Sequence, residues 1–162
     1  MRGRNGRRYS IHTLIFDPRI VLRPGADAVL RELWRKKYAF KLVGVLEDAL
    51  TASDYVAELQ YYGLSDFFQE TDCHFVRDAI KFGVLYRATH NADFHQVAIV
   101  DDCVHEGQAL HWAYVHGSLT IRVRQGKYMN EPLPPERTPD FTIGSLDELI
   151  SILQGMRLEK CM

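Results

Sequence analysis

Two short apolar runs each end in carboxylate. Thr13, Leu14, Ile15 and Phe16 lead into Asp17, and Val97, Ala98, Ile99 and Val100 lead into Asp101 and Asp102. Runs that are apolar on both faces suit strands covered by helices on each side, which is the setting of a parallel sheet. In open sheets of that kind ligands gather outside the carboxyl ends of the strands, so acids placed there mark a candidate site. Carboxylate oxygens are hard ligands. Mg²⁺ takes one or two of them and completes its shell with water and phosphate oxygens.

The rest of the chain alternates helical and extended patterns. Arg23, Pro24 and Gly25 form a turn, and Val29, Leu30, Leu33 and Trp34 then recur at helical spacing, which predicts a helix over 26–37. A strand is expected over 40–46, apolar apart from Lys41 and Gly44. A helix over 53–62 then carries Tyr55, Val56, Leu59 and Tyr62 on one face, with Gly63 as its stop. A further helix over 78–90 would turn Ile80, Val84 and Leu85 inward, and another over 106–115 would close at Gly117. Residues 119–123 are rich in β-branched side chains and read as a strand. Residues 126–139 hold Pro132, Pro134, Pro135 and Pro139 and read as a surface loop. A last strand over 141–143 precedes a helix capped by Ser145 and Glu148 and ending near Gln154. This rhythm predicts an α/β fold, a three-layer sandwich around a mostly parallel, Rossmann-like central sheet with right-handed crossovers.

The chain has 162 residues, 46% hydrophobic and 25% charged, enough for one cored domain. That domain is expected over 11–154, between a basic tail at 1–10 with Arg2, Arg4, Arg7 and Arg8 and a tail at 155–162. A net charge of −1 supplies no field that favours nucleic acid or an anionic membrane. No segment approaches the roughly 18 apolar residues of a membrane span, and the reading is a soluble, cytoplasmic protein. Cys73, Cys103 and Cys161 show no CxxC pairing, so reduced thiols are expected. Of the seven histidines only His105 falls in a candidate site loop. Tyr61, Tyr62, Phe67 and Phe68 read as core packing, with a partner surface as the alternative.

Four segments together resemble the haloacid dehalogenase-like hydrolases over about residues 11 to 152. Leu14 to Asp17 is similar to the family's nucleophile strand. Leu22 to Ala26, continuing to Leu42, Val43, Gly44 and Val45, is similar to its first helix and second strand. Gly63 to Phe68 looks like its glycine-leucine turn, and Val97 to Asp102 like its metal-binding strand. The resemblance implies a Mg²⁺-dependent phosphatase in which Asp17 attacks a phosphoryl group to form an aspartyl-phosphate that water hydrolyses. It implies a Mg²⁺ site built from Asp17, Asp101 and Asp102. Lys81 is the implied catalytic cation on the phosphoryl oxygens, with Arg77 as its alternative. The substrate would be a phosphorylated small molecule or macromolecule.

The departures from the family pattern are as specific as the matches. Two residues after Asp17, where the family has an acid, stands Arg19. A guanidinium can bind phosphate but can neither give up a proton to a leaving alkoxide nor activate water. Leu46 occupies the place of the family's hydroxyl residue and is followed by Glu47 and Asp48; Thr51 or Ser53 could substitute only if the loop folds back. Gly107 stands near the expected second acid of the metal loop, with Glu106 the nearest carboxylate. Too few residues separate Asp17 from Pro24 for an inserted cap, so an open, capless site is expected. The alternative reading is therefore a degenerate member, a pseudoenzyme that binds metal, phosphate or a protein partner without turnover. A receiver-like module phosphorylated on Asp17 is a third reading, although a receiver's acid pair comes early in the chain and this one comes late.

Overall fold

The computed structural model describes residues 23–46, 50–77, 80–90 and 92–160. The expected first strand, Asp17 and Arg19 lie outside the described residues, as do Glu47, Asp48 and Cys161. Contacts divide the chain into two compact units, Met1–Arg77 and Asp78–Met162. Each unit holds its own parallel strands, so the chain is an α/β protein, and among the described residues the paired strands all run parallel.

In the amino-terminal unit, helix α1 spans Ala26–Arg35 and buries Val29 and Leu33. Trp34, expected on the inner face, is instead half exposed and meets Phe67 edge-on at 6.3 Å. Strand β1, Leu42–Val45, pairs with β2, Cys73–Val76. Gly44 stands opposite Phe75 in this register, and a Cβ there would lie 3.1 Å from the Phe75 ring. The glycine that interrupts the apolar run thus makes room for an aromatic ring, which in turn packs on Tyr55 at 5.0 Å. Helix α2, Ala52–Tyr61, opens on a capping box in which Thr51 and Asp54 satisfy each other's backbone amides. Phe67 is buried, while Tyr61 is 43% exposed.

In the carboxy-terminal unit, helix α3 spans Phe82–Ala88 and β3 spans Ala98–Asp101. Helix α4, Ala109–His116, is followed by β4, Leu119–Val123, and β5, Phe141–Ile143. Helix α5 runs over Glu148–Lys160, beyond the expected end near Gln154, so residues 155–160 of the expected tail are helical. The strand order is β3-β4-β5. At the β4–β5 boundary Asp140 extends the ladder with its side chain. Its Oδ2 accepts from the Thr120 amide at 2.8 Å and the Thr120 hydroxyl at 2.7 Å, while the Asp140 amide donates back to that hydroxyl at 2.8 Å. Arg122 is only 3% exposed, and its Nη2 donates to the Tyr128 and Glu131 carbonyls. This buried cation fastens the proline-bearing loop to the sheet. The core gathers around Trp112 and Ile121, both fully buried, with Val84 and Leu85 from α3 and Ile143 from β5.

Three helix starts differ from the sequence expectation, each because local backbone chemistry sets the first turn. Helix α3 begins at Phe82 with Lys81 as its N-cap, so Ile80 lies outside it and is 64% exposed instead of facing inward. Helix α4 begins at Ala109, not 106, because Gly107 adopts φ 79° and Gln108 is extended. Helix α5 begins at Glu148, not directly after an N-cap at Ser145. Glu148 does reach back to the Gly144 and Ser145 amides at 2.9 and 3.0 Å, but the Ser145 hydroxyl turns to Asp147. Among the described residues no helix is long and apolar enough to cross a membrane.

Burial makes the stability of the second unit uneven. Leu85→Ala, at a site 1% exposed, is expected to cost about 3 kcal/mol. Val115→Ala, at a site 57% exposed, should shift stability by about 0.5 kcal/mol or less. Urea denaturation with an unchanged slope reads both.

Candidate functional site

Strand β3 delivers Asp101 as its last residue, and the chain then turns through Asp102, Cys103 and Val104. The turn closes on the Asp101 carboxylate. Oδ1 accepts the Asp102 amide at 2.8 Å and, at 3.5 Å, the Cys103 amide, while Oδ2 accepts from Lys81 Nζ at 3.2 Å. Lys81 and Asp101 are 12% and 16% exposed at their side chains. Burial raises the Asp101 pKa above its ordinary value; Lys81 opposes that rise and the Asp102 charge adds to it. Asp102 itself is half-buried.

Lys81 is fixed at both ends. Its ammonium is held by Asp101, and its backbone amide donates to the Gly107 carbonyl at 3.0 Å. Gly107 in turn donates its amide to His111 Nδ1 at 3.0 Å. The expected second acid is replaced by a residue whose backbone role demands glycine. At φ 79° a side chain would be strained, and its Cβ would press on Ile80 at 3.3 Å.

Of the residues expected at the site, the structure brings Lys81 and Asp101 into contact, with Asp102 adjacent. Arg77 is exposed in the amino-terminal unit and donates to the Leu50 carbonyl at 3.3 Å. Asp17 and Arg19 lie outside the described residues. Leu46 follows the end of β1 with its amide bonded to the Val76 carbonyl at 2.7 Å. The Thr51 hydroxyl serves the α2 cap, donating to Asp54 at 2.8 Å, so it acts as a cap and not as the missing hydroxyl group. Ser53 is exposed within α2. Cys103 is 5% exposed, and burial pushes its thiol pKa up, away from thiolate chemistry.

A groove beside the acid loop is lined by Val104, His105, Glu106, Glu131, Pro132 and Arg137. His105 Nε2 lies 2.5 Å from Glu131 Oε2, and its ring meets Tyr128 edge-on at 5.3 Å. Among the described residues no group of three or more histidine, cysteine or acidic side chains could hold a metal. The Asp101–Asp102 pair offers oxygen donors only, the chemistry that suits Mg²⁺, which takes one or two carboxylates and keeps water for the rest. Both oxygens of Asp101 already have partners, so a metal contact by Asp101 competes with Lys81.

Sequence reasoning singled out Lys81 and the acid pair, which the structure places in contact or adjacent, but did not single out His111, Glu131 and Arg137. Glu131 and Arg137 belong to an irregular loop, and His111 carries no motif spacing; its link to Lys81 runs through a glycine carbonyl. No family model and no curated protein matches the chain.

Removing the ammonium isolates the acid. Lys81→Met is expected to destabilise the protein by about 3 kcal/mol at pH 7, because it leaves a mostly buried carboxylate without its cation. The sign with pH follows from the raised Asp101 pKa. A protonated Asp101 needs no partner, so the deficit shrinks as pH falls through the folded-state pKa and grows as pH rises above it. Denaturation midpoints of both proteins between about pH 3.5 and 8 measure this.

Proposed function

We propose that the chain is a Mg²⁺-dependent phosphohydrolase of the haloacid dehalogenase type, acting through an aspartyl-phosphate on Asp17. The observation that carries the reading is the Lys81–Asp101 pair, a mostly buried ammonium 3.2 Å from a carboxylate at the carboxyl end of a parallel strand. An ammonium has three donors, and Asp101 takes one of them, so Lys81 can also donate to phosphoryl oxygens.

In this reading Asp17 attacks phosphorus and the ester oxygen leaves with its bonding electrons. Lys81 is the cation on the phosphoryl oxygens, with Arg19 and Arg77 as further phosphate-binding groups. Asp17, Asp102 and Asp101 would hold Mg²⁺, which supplies charge to offset the repulsion between carboxylate and phosphate. Water then attacks the aspartyl-phosphate, restoring Asp17 and releasing phosphate. Arg19 offers no proton to the leaving group and no base to the water. Alkyl esters are therefore poor substrates, and the hydrolytic second step is slow. The substrate class is a phosphorylated small molecule or macromolecule that an uncapped site admits. Free thiols at Cys73 and Cys103 suit the reducing cytoplasm that we propose as its setting.

A specific observation favours a second reading. An aliphatic side chain follows the end of β1 at Leu46, and the nearby Thr51 hydroxyl is taken by the α2 cap. A domain with these features could bind metal, phosphate or a protein partner without turnover.

Hydrolysis of an aryl phosphate with Mg²⁺ separates the two readings, because its good leaving group needs no acid. The proposal predicts a burst of about one aryl alcohol per chain and then slow turnover, as expected when the second step lacks its base. Asp17→Asn should abolish both phases, and Arg19→Asp should raise the slow phase about 10- to 100-fold. A native chain with no burst, or one unchanged by Asp17→Asn, would overturn the proposal and leave the binding domain.

A further inference from the structure

We infer that His111 is a positioning residue for Lys81, acting as a proton-sensitive catch that holds the acid loop against the start of α3. The inference rests on the proposed function only in the importance it gives Lys81. A backbone amide can only donate, so the 3.0 Å contact from Gly107 N fixes His111 Nδ1 as an acceptor and the ring as neutral, with its proton on Nε2. The Gly107 carbonyl then accepts the Lys81 amide at 3.0 Å, and Lys81 Nζ reaches Asp101 at 3.2 Å. One ring nitrogen on α4 therefore supports, through a single glycine, the residue whose ammonium neutralises the acid at the end of β3.

Gly107 suits this duty because only a residue at ease with φ 79° can turn its amide and carbonyl to these two partners, and because a Cβ would crowd Ile80 at 3.3 Å. The His111 ring packs against Phe82 at 5.3 Å, next to Lys81 in sequence, which ties the catch to the helix start by a second contact. Among the described residues, Tyr114 of the same helix lines a small cavity with His111, and the charged groups acting on the ring come from two loops. From the proline-bearing loop comes Arg137, from the loop before α4 comes Glu106, and from α3 only the uncharged Phe82 ring.

Protonation of Nδ1 would set N–H against N–H and break the contact with Gly107. Burial, with Arg137 next in weight, lowers the His111 pKa, while Glu106 partly opposes them. For a histidine whose folded-state pKa is depressed, the unfolded chain takes up its proton first as pH falls. The catch is closed at neutral pH, and its stability is lost as pH drops below the free-histidine value near 6.5 and through the lower folded value.

Amide exchange and NMR on the full chain test this without any need for turnover. In the native protein the Gly107 amide resonance should move with a single titration whose midpoint lies below that of free histidine, and the Lys81 amide should lose about tenfold in protection, relative to the intrinsic exchange rate at the same pH, on the acid side. His111→Asn places an acceptor oxygen near the position of Nδ1 and does not titrate, so it should keep both amides protected and flatten the profile. His111→Phe should open both amides at every pH. Gly107 and Lys81 protection that survives His111→Phe, or an acid step that persists in His111→Asn, would overturn the inference. The same amide behaviour in a chain that hydrolyses no phosphate would leave the catch intact and reject the phosphatase reading alone.

Discussion

Withdrawing a carboxylate from water beside a second carboxylate is unfavourable unless a cation offsets it, and at the end of β3 that cation is Lys81. The contact with Asp101 constrains much of the second unit. It requires α3 to start where Lys81 can turn back toward the sheet, and the acid loop to close with its amides on the same carboxylate. It also brings the Gly107 carbonyl within reach of the Lys81 amide. A buried pair of this kind contributes little net stability compared with apolar packing, but loss of either member is costly, so it fixes geometry more than it adds free energy. The apolar layer behind it, with Trp112, Val84, Leu85 and Ile121, carries the stability.

The parts of the fold legible in the sequence are those decided by side-chain pattern. Strands β4 and β5 fall at 119–123 and 141–143 as expected, since β-branched and apolar runs bounded by glycine and proline leave little choice. The parts that were not legible are decided by backbone conformation. Lys81 looked like the interior of a helix and is its cap, and Ile80 looked like core and lies outside the helix. Gly107 looked like a position where an acid was missing, yet its left-handed backbone is what links His111 to Lys81. Periodicity reports which face of an element is apolar; it does not report where a loop turns its amides.

The candidate site shows the same division. Asp101 and Asp102 stand out as two acids after an apolar strand, and Lys81 as the positional match for the cation that the family resemblance implies. Glu131 and Arg137 reach the groove through an irregular loop, and His111 reaches the acid loop through the backbone turn at Gly107, so nothing in their spacing marks them. The chemical weakness at the proposed site was legible at once, since an arginine two residues after Asp17 and a leucine at 46 are departures in residue type. Those departures set the expected order of rates. In the proposed mechanism, attack by Asp17 on a good substrate would be supported by cations, while release of the phosphate from Asp17 would lack a base.

That imbalance makes the covalent species the best witness. The most direct measurement is peptide mapping by mass spectrometry after the chain has been incubated with Mg²⁺ and an aryl phosphate and then quenched with borohydride, which reduces an acyl phosphate to an alcohol. The account predicts that Asp17 is converted to homoserine in a substantial fraction of chains, with no conversion at Asp101 or Asp102. Recovery of unmodified Asp17 under conditions in which the substrate binds, or reduction at a different acid, would contradict it.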